Sequence, residues 1–387
     1  MFKNPLMRSE HWSETSVQLN FTLIFIFFAF GSMIGGFSQD RFGPRKVGTL
    51  AAILNGTGYM VAGFSASHHF LEGLYLGYGL LAGLGLGMGY ICPVATLVKW
   101  FPDRRGLMTG VAVCGYGFGA VLMSPFAAWE IIHYGVPVTF YTLGVIYLIV
   151  LFAGAQLFVN PSPGWRPAGW EPRTAVAKAA GLHDFTVSET LGTWQFYVLF
   201  LLTVVNLWAG FMIVSQASPM AQEMVGMTVL KAAAMVGLIS IFNGLGRVFW
   251  AWASDYGGRA RIYFVLIFIQ TGMFFLLPRI HDWTLFSVAF GLIGFCYGGG
   301  FGTMPSFVAD YFGAKAMGGI YGIILFGSNI TAAASPILIA RVHQSLGSYA
   351  PAIRVTAIAM LCVMVLPLVV RRPGKKNAGT PVIALSE

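Results

Sequence analysis

Charged residues are scarce in this sequence, and their scarcity excludes most classes of soluble protein. Asp, Glu, Lys and Arg together make up 10% of the 387 residues, whereas hydrophobic residues make up 57%. A soluble globular domain carries about 25% charged residues. The composition is therefore typical of an integral membrane protein that lies in a lipid bilayer.

Residues for metal, cofactor or enzymatic chemistry are lacking as well. Only four cysteines are present, and all lie in apolar segments without the spacing of a disulfide framework or a zinc site. The glycine run at 83–89 has neither a preceding strand nor the lysine of a phosphate-binding loop. We therefore expect no cofactor and no enzymatic activity. The net charge of +9 does not indicate nucleic acid as a partner, because the basic residues fall in short loops.

Acidic residues are absent from the middle of every apolar segment. Glu130, Glu223 and Asp310 lie at predicted segment ends, where we expect solvated side chains. A transported proton therefore has no obvious carrier in the membrane interior. It could travel with a substrate, titrate one of these three acids or play no part.

Long apolar segments are what the sequence does contain. Eleven are long enough to cross a hydrocarbon layer, near 17–38, 47–66, 72–98, 107–130, 137–160, 193–217, 229–253, 262–280, 284–310, 316–341 and 350–370. A polar stretch rich in proline and glycine divides them into two groups. We predict an N-terminal bundle of five spans at 1–160, a central cytoplasmic loop at 161–192, a bundle of six spans at 193–373 and a cytoplasmic tail at 374–387.

The loops predict an orientation in the membrane. Most Lys and Arg fall in loops on one side, which also holds the C-terminus. Short loops rich in these residues face the cytoplasm. We therefore expect a multi-pass protein of the cell (inner) membrane with a cytoplasmic C-terminus.

The two groups of segments are related in sequence. Residues 101–125 and 312–336 align over equal lengths and both end in Ser-Pro, and residues 36–46 resemble 251–261, which sets Asp40 against Asp255. Matched loops on the same side indicate a parallel repeat and two pseudo-symmetric bundles. Because one group has six spans and the other five, we expect the first helix of a twelve-helix pattern to be absent from this sequence.

Arg247 is a charge in the middle of an apolar segment. It is the only charged residue of 232–254 and lies roughly 12 Å along a helix from Asp255. A guanidinium at that depth costs a few kcal/mol unless it faces a wet cavity, a partner or a ligand. Asn243, one helical turn earlier, shares its face. We interpret Arg247 as an anion-binding residue. The alternative is that its side chain snorkels towards the membrane surface or bonds backbone carbonyls of a neighbouring helix.

The loop GFSQDRFGPRK at 36–46 and its copy at Asp255 predict a latch between helices at the cytoplasmic side. An ordinary basic loop would explain the arginines but not the duplicated aspartate and glycine. These loops resemble those after the second and eighth helices of the major facilitator superfamily. Four further stretches resemble the oxalate/formate antiporter group of that superfamily, which is related to monocarboxylate transporters: WFPDRRG at 100–106, NPSPGWRPAGW at 160–170, IFNGLGRVFWAWASD at 241–255 and ADYFGAK at 309–315.

The resemblance extends from Pro5 to about Arg372 and implies an all-α major facilitator fold. It also implies roles for individual residues. Arg247 matches an arginine that binds the substrate carboxylate, and Asn243 matches a polar pocket residue. The aromatic wall of the pocket is implied at Tyr90, Tyr116, Tyr297 and Phe301, and the cytoplasmic gate at Asp40, Arg41, Arg45, Asp255 and Arg259.

The sequence departs from the resemblance in the eleventh helix of the pattern. Oxalate exchangers carry a lysine there, three residues after an aromatic residue, and this chain has Phe326 and Asn329 at the corresponding spacing. A single buried cation balances one carboxylate and leaves a second one unpaired. The departure favours a monocarboxylate over oxalate, and Phe326 and Asn329 are further candidate substrate-binding residues.

We therefore predict a secondary active transporter of a small monocarboxylate such as lactate, pyruvate or formate. It would work as a monomer by alternating access, either as a proton symporter or as an anion exchanger. One alternative is an oxalate/formate-type antiporter or a carrier of another small solute. The other is a non-transporting membrane sensor or a truncated relic.

Overall fold

Helices make up nearly all of the described part of the chain. The computed structural model describes residues 2, 5–7, 12–162, 165–169 and 184–373, and no β-strand occurs among them. The helices are α1 (Glu14–Phe42), α2 (Pro44–Ser67), α3 (Leu71–Trp100), α4 (Arg105–Leu157), α5 (Val187–Leu191), α6 (Trp194–Val225), α7 (Val229–Gly257), α8 (Arg259–Leu276), α9 (Trp283–Phe312), α10 (Met317–Leu346), α11 (Ala350–Val363) and α12 (Leu366–Val369). Residues Tyr75–Ala82 of α3 form a π-helical segment, and a 3₁₀ turn at Leu277–Arg279 follows α8.

Ten helical stretches of the described residues are long and apolar enough to cross a membrane. One of them, α4, has 53 residues and would be about 80 Å long if it were straight. Its helical geometry is interrupted at Gly135, which has φ 83° and ψ 172°. Residues before the interruption pack on α7 and residues after it pack on α2. Counting the two parts of α4 separately would give the eleven spans expected, and that count stays a prediction.

The sequence repeat has a local structural counterpart at two helix junctions. Gly43 follows Asp40 by three residues and has φ 85°, and Gly258 follows Asp255 by three residues and has φ 84°. This left-handed backbone region favours glycine because a Cβ atom would be strained there. Both glycines end one helix and allow the next to start at once, so each junction is a tight turn. We call the end of the molecule that carries these two turns the basic end.

Glycines also bring the two repeated parts of the chain together. Gly36 of α1 lies against the backbone of Gly318 in α10, and Gly110 of α4 lies against the Arg247 carbonyl of α7. A side chain at either glycine would collide with the facing backbone. Small residues allow membrane helices to approach in this way. The contacts between the two parts are most extensive along two helix pairs, α1 with α10 and α4 with α7.

Part of the predicted central loop is folded and packed. Residues 187–191 form α5, which begins with a capping box between Thr186 and Glu189. Asp184 accepts a hydrogen bond from the Ala314 backbone at 3.0 Å, and the Phe185 N–H donates to the Phe312 carbonyl at 2.8 Å. These contacts fix the end of the loop on the junction of α9 and α10. Residues 163–164 and 170–183 of the loop, and the predicted tail at 374–387, lie outside the described residues, and the predicted domain limits stay predictions.

Candidate functional site

Arg247 is buried between α7 and α4 and has only neutral partners. It is 7% exposed. Its Nε donates to Asn243 Oδ1 at 3.1 Å, and its Nη1 donates to the Val113 carbonyl of α4 at 2.9 Å. Nη2 makes no hydrogen bond to any described residue, and no described carboxylate forms a salt bridge with the guanidinium. The bonds to neutral groups orient the guanidinium but do not balance its charge.

Asn243 holds the guanidinium in place from one turn earlier on α7. Its Nδ2 donates to the Gly294 carbonyl of α9 at 3.3 Å, so its Oδ1 faces Arg247. Asn243 is itself buried. The pair therefore connects three helices, α4, α7 and α9, at one point.

Four of the predicted aromatic residues surround this point. The Arg247 Cζ lies 5.0 Å from the centre of the Phe301 ring, a cation–π contact. The rings of Tyr297 and Phe301 are 5.5 Å apart, those of Tyr90 and Phe301 are 6.4 Å apart, and those of Tyr90 and Tyr116 are 5.0 Å apart. The ring contacts are edge-on, the arrangement that aromatic pairs favour. The structure thus brings these four residues from α3, α4 and α9 to the Arg247 side chain.

The two candidates on α10 are not part of this group. The Phe326 ring packs on Phe30 of α1 with centres 5.0 Å apart. Asn329 is buried, and its Nδ2 donates to the Leu325 carbonyl of its own helix at 2.8 Å. Neither side chain makes a ring contact or hydrogen bond with the Arg247 group within the described part of the chain. Their role in binding stays a prediction.

A cavity of about 660 Å³ lies beside the Arg247 group, among α1, α2, α3 and α4. Tyr116 forms part of its wall, together with Ala112 and Gly115 on the same helix. The sequence predicts a cavity at the Arg247 guanidinium itself, and neither Arg247 nor Phe301 lines this one. Instead, the Phe301 ring and the Val113 carbonyl of α4 contact the guanidinium.

At the basic end, the duplicated aspartates make duplicated contacts. Asp40 Oδ2 accepts from the Gly319 N–H at 2.8 Å, in the first turn of α10. Asp255 accepts from the Gly106 and Leu107 N–H groups at 2.8 Å each, in the first turn of α4. A carboxylate at a helix N-terminus satisfies free N–H groups and the helix dipole. Each aspartate therefore holds the start of a helix that belongs to the other repeat.

Ion pairs add to these contacts, and the Asp255 side has more and shorter ion pairs than the Asp40 side. Arg259 Nη2 lies 2.7 Å from Asp255 Oδ1, and its Nε lies 2.7 Å from Asp310 Oδ2. Arg105 Nη1 lies 2.8 Å from Asp310 Oδ1. The Asp40 side has one longer pair, with Lys99 Nζ at 3.4 Å. We call the six residues Asp40, Lys99, Arg105, Asp255, Arg259 and Asp310 the latch cluster.

Two predicted gate residues lie outside the latch cluster. Arg41 and Arg45 are exposed and form no ion pair with any residue that the structure describes. The Arg41 guanidinium lies 5.1 Å from the ring centre of Phe42. Both remain predicted gate residues without a contact that supports the role.

Sequence reasoning missed Arg105, Lys99 and Asp310. The expectation that Asp310 is a solvated end residue is wrong, because two arginines bind its carboxylate. The repeat alignment carries a signal for it, since the spacing that matches 101–125 to 312–336 also sets Lys99 against Asp310. A cation in one copy thus corresponds to an anion in the other. Glu130 is also buried rather than solvated, whereas Glu223 is partly exposed and pairs with His343 at 2.7 Å.

The chain is similar in sequence and in fold to known proteins. The family model described as Major Facilitator Superfamily matches residues 1–336 and, in a second match, residues 235–384. The oxalate:formate antiporter of Oxalobacter formigenes is 30% identical over 347 residues, which cover 86% of this chain and 79% of that protein. Apicoplast pyruvate carrier 1 of Toxoplasma gondii is 26% identical over 410 residues, which cover 90% of this chain and 74% of that protein. The fold matches a fucose:proton symporter of Escherichia coli with a TM-score of 0.73 at 13% identity, over 96% of this chain and 94% of that one.

Proposed function

Since this chain belongs to the Major Facilitator Superfamily, we propose that it is a secondary active transporter of a small monocarboxylate anion. The bilayer is the cell membrane, and the basic end faces the cytoplasm. Arg247 binds the carboxylate, Asn243 orients the guanidinium, and Tyr90, Tyr116, Tyr297 and Phe301 enclose the anion.

One observation carries this proposal, the charge of Arg247 without an anionic partner. Arg247 is buried, and only 7% of its surface remains accessible. Nη2 is free of hydrogen bonds to the described residues, whereas Nε and Nη1 are held by neutral oxygens. A planar guanidinium binds a carboxylate through two parallel N–H donors, which a lysine cannot do. An incoming carboxylate would supply the missing negative charge.

The count of buried cations supports a monocarboxylate. Among the described residues, Arg247 is the one cation that contacts the aromatic rings of the site. Asn329 stands where the resemblance places a second cation, a lysine, in oxalate exchangers. A second carboxylate on the same anion would be unpaired in surroundings of low polarity. Apicoplast pyruvate carrier 1, one of the relatives, is named for a monocarboxylate.

The positions of two sets of bonds support transport by alternating access. The Arg247–Val113 bond joins α7 to α4, and the latch cluster joins the same two helices at the basic end. A carboxylate that binds Arg247 competes with the Val113 carbonyl for the guanidinium. Binding would thereby loosen the contact between the two repeats, which rock around the site in transporters built from repeats. Proton symport and anion exchange are both compatible with this scheme.

An oxalate:formate-type exchange is the second candidate function, because the Oxalobacter formigenes antiporter is 30% identical to this chain. Counterflow separates the two. Purified protein in liposomes loaded with unlabelled pyruvate, formate or oxalate is given the labelled form of each anion. We expect counterflow of pyruvate and formate and little of oxalate. Oxalate as the preferred anion would favour the second function, and no counterflow of any organic anion would favour a non-transporting role.

A further inference from the structure

The side chain of Thr109 makes a hydrogen bond that crosses between the two repeats. Thr109 lies at the start of the second turn of α4 and is 0% exposed. Its hydroxyl lies 2.8 Å from the Gly302 carbonyl oxygen of α9 and 2.9 Å from the Gly106 carbonyl oxygen of its own helix. A threonine hydroxyl carries a single hydrogen, so the two carbonyls share one donor. One of these two contacts joins α4 to the other repeat.

The two carbonyls belong to residues that already have a place in the site and in its closure. The Gly106 N–H donates to Asp255 of the latch cluster at 2.8 Å. Gly302 follows Phe301, whose ring lies 5.0 Å from the Arg247 Cζ. The threonine hydroxyl thus lies between the latch cluster and the Arg247 group.

The helices approach one another closely around this bond. Gly110 of α4 and Gly302 of α9 both lie against the Arg247 main-chain carbonyl, and a side chain at either glycine would collide with it. Three helices, α4, α7 and α9, therefore meet next to the Thr109 hydroxyl. A rocking motion that opens the basic end moves α4 away from α7 and α9. That motion breaks the bond between Thr109 and Gly302.

We propose that Thr109 is a positioning residue of the transport cycle, which holds α9 against α4 beside the binding site and thereby stabilises the closed basic end. This inference rests on the proposed function, to which it adds a bond that neither the latch cluster nor the Arg247 group contains. The bond to Gly106 lies within α4 and contributes to the closed and the open state alike. Only the bond to Gly302 distinguishes the two states.

Thr109→Val tests the proposal, because valine keeps the branched shape and lacks the hydroxyl. Spin labels at Lys46→Cys and Arg261→Cys, in a background without the native cysteines, are measured by double electron–electron resonance without any organic anion. Both labelled positions are exposed and lie at the basic end, one in each repeat. We expect the ratio of closed to open basic ends to fall about fivefold, the size of one neutral hydrogen bond. Thr109→Ser, which keeps the hydroxyl, should retain the wild-type ratio.

Thr139→Val is the matched control. Thr139 lies on the same helix, is also 0% exposed, and donates its hydroxyl to the Gly135 carbonyl of α4 at 2.8 Å. It makes no hydrogen bond to the other repeat within the described part of the chain. This variant should leave the ratio of closed to open basic ends unchanged. A wild-type ratio in folded Thr109→Val, or an equal shift in both valine variants, would overturn the role of Thr109.

Pyruvate separates this inference from the proposed function. Under the proposed function, excess pyruvate should shift the wild-type distribution towards the open basic end, and Arg247→Lys should not respond. A wild type that responds to no monocarboxylate would contradict the proposed function. The threonine variants are compared without pyruvate, so they would still decide whether the Thr109 hydroxyl stabilises the closed basic end.

Discussion

The Nη1 group of Arg247 on α7 donates a hydrogen bond to the main-chain carbonyl of Val113 on α4, at a distance of 2.9 Å. This bond crosses between the two repeats of the chain in the middle of the apolar helices. It occupies one edge of a guanidinium that has no described anionic partner. Under the proposed function, a bound carboxylate would compete with the contact between α4 and α7 for the same donors. Occupancy of the site would then be linked to the arrangement of the repeats.

Removal of the Phe301 ring should weaken anion binding. The ring lies 5.0 Å from Arg247 Cζ and helps to fix the plane of the guanidinium. A buried cation–π contact is worth about 1 kcal/mol, so Phe301→Leu should raise the half-saturating concentration for pyruvate uptake about fivefold. Phe286→Leu, in a buried ring that packs on Phe290 in the first turns of α9, is the control. Equal half-saturating concentrations in the wild type and Phe301→Leu would contradict the contact's role.

Loss of the Asp255 carboxylate should open the basic end. Asp255 accepts bonds from Gly106 and Leu107 and pairs with Arg259, and an asparagine cannot keep both backbone bonds or the charge. In Asp255→Asn we expect spin labels at Lys46→Cys and Arg261→Cys, in a background without the native cysteines, to move apart. Double electron–electron resonance measures this separation.

The control for the opening experiment is Asp103→Asn. Asp103 lies in the same loop region, and among the described residues it pairs only with the exposed Arg104, at 3.6 Å. It should leave the distance distribution as in the wild type. An unchanged distribution in Asp255→Asn as well would show that the aspartate does not hold the two repeats together.

The two sides of the latch cluster should differ in strength. Asp310 binds two arginines at 2.7 and 2.8 Å, whereas Lys99 has a single contact with Asp40 at 3.4 Å. Asp310→Asn should lower the free energy of unfolding by about 2 kcal/mol, because it leaves two largely buried guanidinium groups without their partner. Lys99→Gln should lower it by less than about 1 kcal/mol. Thermal unfolding of the purified variants in detergent gives the order, and a larger loss in Lys99→Gln would contradict it.

A second cation on α10 should extend the substrate range. If Asn329 faces the bound anion in some conformation, Asn329→Lys supplies the charge that a second carboxylate needs. We expect oxalate uptake relative to pyruvate uptake to rise about tenfold or more, since a charge-assisted bond is worth about 1.5–3 kcal/mol. Ser328→Lys places the same charge on another side of α10 and should not raise it. A failure of both variants, in folded protein, would remove Asn329 from the set of substrate-binding residues.

The sequence was sufficient for the superfamily and for the helical fold, and both predictions are confirmed. The helical fold could be predicted because long apolar segments depend on composition alone, whereas the superfamily was implied by the resemblance of the loops at 36–46 and 251–261. Arg247 and Asn243 share a helix face, so their contact follows from a separation of four residues. The interruption of α4 at Gly135 could also be predicted, because the sequence shows two separate apolar segments, 107–130 and 137–160, on either side of it.

The missed features depend on contacts between segments that are far apart in the chain. Asp310 meets Arg105 and Arg259 only after three helices have packed at the basic end, so its position at a segment end suggested solvent instead. The cavity is lined by Tyr116 and not by Arg247, and its position depends on how α1, α2, α3 and α4 pack, which no local pattern predicts.

Counterflow of labelled pyruvate in proteoliposomes, with Arg247→Lys compared against the wild type, tests the central claim most directly. Lysine keeps the positive charge but lacks the planar pair of donors, so we expect uptake to fall about 100-fold with the protein still folded. Arg354→Lys, the same change at an exposed arginine of α11, should transport as the wild type does. Uptake by Arg247→Lys at the wild-type rate would contradict the claim that this guanidinium binds the transported anion.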